Sequence, residues 1–145
     1  MLIYLDNCCF NRPFDDQSQV RVLLETEAKL AIQDRIRSGS LQLAWSYILD
    51  FENDANPFED RRISISPWRR LASVDISESD EIVARAERLN GIGFKSKDAL
   101  HISCAIEASC TVFLSTDKGV VNKASLVPEL AILNPVDYDF AENDD

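Results

Sequence analysis

Histidine is nearly absent from this chain, with His101 the single example in 145 residues. The four cysteines, Cys8, Cys9, Cys104 and Cys110, include an adjacent pair but no Cys-x-x-Cys clip. Thiolate–imidazole zinc sites are therefore poorly served, and the cysteines read as reduced, partly buried thiols. No apolar run approaches the ~20 residues that cross a bilayer. The N-terminus has no basic stretch followed by an apolar one, so no signal peptide is expected and the expected location is cytoplasmic. Positive charge is short as well: 15 Lys and Arg against 25 Asp and Glu leave a formal net charge of −10. That excludes bulk attraction as the means of holding nucleic acid, although local basic patches can still steer it. An acidic surface also suits a basic partner. There is no internal repeat, low-complexity stretch or interdomain linker. One domain over residues 1–140 is expected, with an acidic, disordered tail at 141–145.

What the chain does have is an alternation of short apolar runs and helical stripes. Residues 2–5 predict a first strand. Asp15 to Ser18 open a long helix over 17–38, with Val20, Leu23, Leu24, Ala28, Ala31, Ile32 and Ile36 as its apolar stripe and Gly39 as its stop. Residues 41–44 predict a strand, 46–53 a helix, and Pro57 starts a further short helical piece that Pro67 breaks. Residues 71–76 predict a third strand. Ser77 with Asp80 resembles a capping box for a helix running to Leu89 and ended by Asn90-Gly91. Ser96 is read as the cap of the next helix. Residues 111–114 predict a fourth strand, followed by a short helix after Asp117, and 130–133 an edge strand. Strands alternating with helices imply an α/β fold with a parallel sheet of four to five strands covered on both faces.

Two carboxylates stand out by position. Asp6 follows the run Leu2 to Leu5, and Asp117 follows Thr111 to Thr116. Ligands of open α/β sheets bind outside the carboxyl ends of the strands, so both acids are placed to face a site. Glu52 and Asp98 lie in helical contexts that can reach the same edge. Asp50 competes with Glu52, because acids two apart on a helix cannot both face inward. Carboxylates gathered together repel and call for a cation, and Mg2+ and Mn2+ prefer oxygen ligands. Two such ions can activate water and steady a leaving oxygen in phosphodiester hydrolysis.

The ordered set Asp6, Glu52, Asp98 and Asp117 resembles the PIN-domain nucleases, in particular VapC-like toxins. It is carried by the apolar strand ending in Asp6, the helix with Ser46 and Glu52, the helix start Asp98-Ala99-Leu100-His101-Ile102-Ser103, and the strand ending Ser115-Thr116-Asp117. The resemblance covers residues 1 to about 135. It implies a three-layer α/β/α sandwich and Mg2+- or Mn2+-dependent endoribonuclease activity leaving 5′-phosphate and 3′-hydroxyl ends. The four acids carry over as catalytic metal ligands. It further implies a homodimer and, for a toxin, a small basic antitoxin. Asn7-Cys8-Cys9 and the segment Asn11 to Asp16 depart from the family pattern.

Thr116 and Arg12 are candidate contacts to the RNA substrate, Arg12 with Asp15 or Asp16 as competing partners. Arg69 and Arg70, with Arg61 and Arg62, form a basic cluster around Trp68. Its competing readings are a backbone-contacting patch with Trp68 stacking on a base and a solvated surface with Trp68 in the core. His101 is read as structural, since a metal removes the need for a histidine base. Two other functions remain: a receiver-like domain phosphorylated on a strand-end aspartate, and a PIN-fold protein that binds a partner without catalysis.

Overall fold

The computed structural model describes residues 1–139; the predicted tail at 141–145 lies outside the described residues. Strand β1 (Leu2–Leu5) leads into helix α1 (Asn7–Asn11), a 3-10 turn (Arg12–Phe14) and the long α2 (Val20–Ser38). Strand β2 (Gln42–Ser46) is followed by α3 (Tyr47–Asp54), α4 (Glu59–Ile65) and α5 (Trp68–Leu71). Strand β3 (Val74–Ile76) precedes α6 (Asp80–Gly91) and α7 (Ser96–Glu107). Strand β4 (Val112–Leu114), α8 (Lys118–Val121) and the edge strand β5 (Ala131–Leu133) complete the pattern. Among the described residues no helix is long and apolar enough to cross a membrane.

All five strands are parallel, in the order β3-β2-β1-β4-β5. Ile3, Tyr4 and Leu5 on the central strand are fully buried. Because neighbouring strand residues point to opposite faces, both faces of the sheet are covered, giving the expected α/β architecture. Tyr4 meets His101 of α7 on one face. Trp45, on the other, packs edge-on against Phe10 of α1 at 5.4 Å. The receiver-like reading does not survive this order, since that fold runs 2-1-3-4-5.

Several local expectations shift. Strand β2 runs on to Ser46, beyond the predicted 41–44. The predicted strand 71–76 is halved, because Trp68–Leu71 coils into α5 behind Pro67. The cap of α6 is Ser79, whose Oγ accepts from the Ile82 N–H at 3.2 Å, and not Ser77. Ser96 is the first residue of α7 and caps nothing; Lys95 occupies the cap position without a side-chain bond. The extended backbone of Lys95 makes the turn by itself. Gly39 does stop α2, at φ 86°, where a side chain would be strained.

The largest correction concerns α2. Its inward face is Val22, Glu25, Thr26, Lys29, Ile32, Gln33 and Ile36, while Val20, Leu23 and Leu24 of the predicted stripe are exposed. Polar pairing turned the helix. Glu25 is buried against Arg12 and Arg21, each at 3.3 Å, and accepts from the Asn134 amide. A buried carboxylate needs such partners, and these hold α2 with that face inward.

Lys29 on the same face has no carboxylate partner among the described residues. Its ammonium lies 5.7 Å from the Phe10 ring centroid. Burial, with help from the charge of Arg37, pushes its pKa down from 10.5 to about 8. The folded state thus binds fewer protons than the unfolded chain between pH 8 and 10.5, and stability rises across that window. Lys29→Met should therefore raise stability at pH 7 by on the order of 2 kcal/mol. The gain should shrink between pH 8 and 10.5 in urea unfolding followed against pH.

Candidate metal centre

The chain leaves β1 toward β2 and β3, then returns to β4 on the other side of β1. That reversal opens a crevice at the carboxyl ends of β1 and β4. Asp6 sits there, its backbone N–H donating to the Leu114 carbonyl at 2.9 Å. Its side chain caps α1, with Oδ1 accepting from the Asn7 N–H at 2.8 Å. The Ser115 hydroxyl donates to Oδ2 at 2.9 Å, and the Cys8 thiol lies 3.6 Å from the same oxygen. Ser115 Oγ also accepts from the Asp117 N–H at 3.1 Å. One serine thus ties the two strand-end acids together. Asp117 in turn caps α8 through the Gly119 N–H at 2.8 Å.

Glu52 arrives from α3, which Ser46 caps through the Leu49 N–H at 3.4 Å. One of its oxygens accepts from the Asn7 side-chain amide at 3.0 Å, and the other meets His101 Nε2. His101 is buried, and its Nδ1 lies 2.6 Å from the Tyr4 hydroxyl, which is 2.6 Å from Ser46 Oγ. Burial alone would lower the His101 pKa. The hydrogen bond to Glu52 and the charges of Asp6, Glu52 and Asp98 override it, and the pKa is raised. Burial would raise Glu52, but the bond and charge of His101, then Lys97 and Asn7, hold it below the usual value. The two shifts agree in sign, as an ion pair requires.

Asp98 stands in the first turn of α7. Burial, then the negative charges of Asp6 and Asp117, push its pKa up from 3.8 to about 6. The four acids line one cleft of about 590 Å3, together with Asn7 and Cys8. Lys95 and Lys97 from the start of α7, and Arg12, add cationic groups to the same lining. Of the rival acids, Glu52 faces this cleft. Asp50 instead accepts from the Trp45 indole N–H at 2.8 Å and pairs with Arg69 at 3.4 Å.

The basic candidates are placed differently. Arg69 is bridged to Asp75 at 2.9 Å, and with Arg70 it lines a separate cleft containing Asp50 and Asp54. Arg61 pairs with Asp15 at 3.4 Å, and Arg62 donates to the Asn56 carbonyl at 2.5 Å. Trp68 is buried under the Arg37 guanidinium, 4.7 Å above its ring, so it belongs to the core. Thr116 is buried with its hydroxyl unpartnered and is not one of the residues that line the cleft. Arg12 reaches the cleft but is tied to Asp15 at 3.1 Å and to Glu25.

The sequence did not single out Ser115 or the lysines beside Asp98, and marked Asn7 only as a departure from the family pattern; His101, buried between Tyr4 and Glu52, agrees with its structural reading. The Lys95-Ser96-Lys97-Asp98 string was a usable signal, because two cations flank an acid at a helix start. Nothing local marked Ser115.

The donor set fits a divalent ion of one kind. All four acids offer hard oxygens, and the mutual repulsion at Asp98 favours a cation. Among the described residues no three His, Cys, Asp or Glu side chains gather closely enough to enclose an ion. Mg2+ characteristically keeps several waters and takes only one or two carboxylates directly, which suits an open arrangement.

No protein-family model matches the chain, and no curated protein matches it in sequence. Its backbone superimposes on a chain from the structure of VapBC2 from Rickettsia felis bound to a DNA fragment from the promoter, with a TM-score of 0.57. The match covers 96% of this chain and 100% of that one, at 12% sequence identity. The fold is PIN-like. The PIN-like fold accounts for the strand order and for the crevice at the ends of β1 and β4. At 12% identity the likeness is one of backbone fold.

Proposed function

We propose that the chain is a Mg2+- or Mn2+-dependent endoribonuclease of PIN type. The observation that carries this is the convergence of Asp6, Glu52, Asp98 and Asp117, from four separate elements, on one cleft. Asp6, Asp98 and Asp117 would hold the cation, one or two of them directly and the rest through its bound waters, and Glu52 would orient the attacking water. When bound, the cation supplies Lewis acidity toward water and a phosphoryl oxygen. The chain's own contribution is positional. Ser115 and the α1 amide fix Asp6, while His101 and Asn7 fix both oxygens of Glu52. Lys95 and Lys97 give a polyanion a local foothold on an otherwise acidic protein.

A toxin role follows the likeness to VapBC2, whose structure pairs two kinds of chain by name. A small basic antitoxin would complement the net charge of −10, and a homodimer is the proposed assembly. Calorimetric titration with Mn2+ tests the metal reading apart from RNA. Wild-type protein should bind Mn2+ at micromolar concentration, and Asp98→Ala should weaken binding by about 10-fold or more, on the order of 1.4 kcal/mol. Unchanged Mn2+ affinity in that variant would leave the cleft as a partner-binding surface without catalysis.

A further inference from the structure

Helix α1 gives Asn7, Cys8 and Asn11 to the acidic cleft but turns Phe10 into a second, smaller cavity of about 200 Å3. Phe10, Ile65 and Trp68 form its apolar walls, all buried. Phe14 and Leu30, each more than a third exposed, border it at the surface. Its polar lining consists mainly of donors. Lys29 is 4% exposed and Gln33 is 2% exposed. The Gln33 Nε2 is buried with no hydrogen-bond partner. Arg37 lies at the edge over Trp68, with Nη1 held by Asp34 at 3.0 Å. Among the described residues no acid lines this cavity.

An ammonium without a carboxylate and an amide N–H without an acceptor are costly when buried. Methionine and leucine would fill the same positions without that cost, so the sequence retains, around empty space, a buried amide donor without a partner and an ammonium with no carboxylate among the described residues. A guest for this space must bring acceptor oxygens and negative charge at one end and an apolar body at the other. An apolar cavity of about 150 Å3 is large enough to hold benzene, so this one has room for a ring bearing a small polar group.

We propose that the cavity binds a small aromatic monocarboxylate, whose oxygens accept from Lys29 Nζ and Gln33 Nε2 while its ring packs on Phe10, Ile65 and Trp68. The depressed pKa of Lys29 is consistent with an ammonium awaiting an anion. Ordered water would satisfy Gln33 but leave the Lys29 charge uncompensated. The inference is independent of the nuclease reading, because it uses none of the four acids.

The test uses benzoate as the probe on the full chain, with benzyl alcohol as its neutral counterpart. Trp68 lines the cavity, so tryptophan fluorescence reports occupancy, and the Gln33 side-chain amide and Lys29 Nζ signals in NMR locate it. Benzoate should give a saturable response with Kd of about 1 mM or below. Benzyl alcohol should bind about 10-fold more weakly or worse. Lys29→Met should weaken benzoate by a similar factor and leave benzyl alcohol unchanged. Gln33→Met, which keeps the volume, should weaken benzoate to a lesser degree and serves as the second variant. No saturable response, equal affinity for both probes, or equal benzoate binding in Lys29→Met would overturn the proposal. So would NMR shifts confined to the acidic cleft.

Discussion

Asp6→Asn is expected to reduce Mn2+-dependent RNA cleavage by roughly 10³-fold while leaving the fold intact. The substitution is close to isosteric, and asparagine ranks with aspartate as a helix N-cap. The cap of α1 can persist through the remaining carbonyl oxygen, while the new amide N–H at the Oδ2 position can donate to the Ser115 hydroxyl in place of the bond that Ser115 donates to Asp6. What disappears is one unit of negative charge at the junction of β1 and β4. Two measurements check this. Thermal melting by circular dichroism should be unchanged or slightly improved, since a repulsion is relieved. The Asp98 carboxyl, raised to about 6 partly by Asp6, should titrate lower in carbonyl-detected NMR of the metal-free protein. Full cleavage activity in the variant would sink the assignment of Asp6, whatever the melting shows.

His101→Ala should cost about 3–5 kcal/mol of stability, the range for removing one partner of a buried charge pair. Glu52 loses its histidine, and the Tyr4 hydroxyl loses one of its two partners. The pH dependence separates pairing from mere loss of volume. The folded pKa of His101 lies above its ordinary 6.5, so its contribution is complete below that value and fades as pH rises through the folded pKa. The folded pKa of Glu52 lies below its ordinary 4.5, so its contribution is complete above that value and fades as pH falls through the folded pKa. The stability gap between wild type and variant should therefore peak between about pH 4.5 and 6.5. It should narrow on both sides in urea unfolding with chelator present. A gap that stays flat across pH would mean that His101 acts only as a packed ring.

The sheet and the strand-end acids were legible because they depend on local rules. A short apolar run followed by a carboxylate marks a strand meeting a crevice, and Asp6 and Asp117 obeyed it. Asp98 in a first turn and Glu52 in a helix were ambiguous locally, and only the assembled cleft separates Glu52 from Asp50. The choice turned on Trp45, whose indole N–H holds Asp50 away; no sequence pattern reveals a cross-element bond of that kind. The face of α2 was misread for a related reason. Apolar spacing pointed to Val20, Leu23 and Leu24, but the buried ion network at Glu25 set the rotation. Of the two readings of the arginines around Trp68, the one with Trp68 in the core holds, and the arginines' partners Asp50, Asp75 and Asp15 were scattered through the chain. Helix α1 is only five residues long, too short for periodicity to announce.

Asp6 and Ser115 are bonded neighbours separated by 109 positions in the chain. The pairing of β1 with β4 is the step that unites the acids, since Asp6 and Glu52 precede Asp98 and Asp117 by a long stretch. During synthesis at about 5–20 residues per second, the growing chain carries only half of its carboxylate set for several seconds. Strand β4 cannot dock until its residues have left the ribosome. On the proposed reading, a protein that cuts RNA is itself made on RNA. Its topology then acts as a timer: the cutting centre is assembled late, when the domain itself is nearly complete.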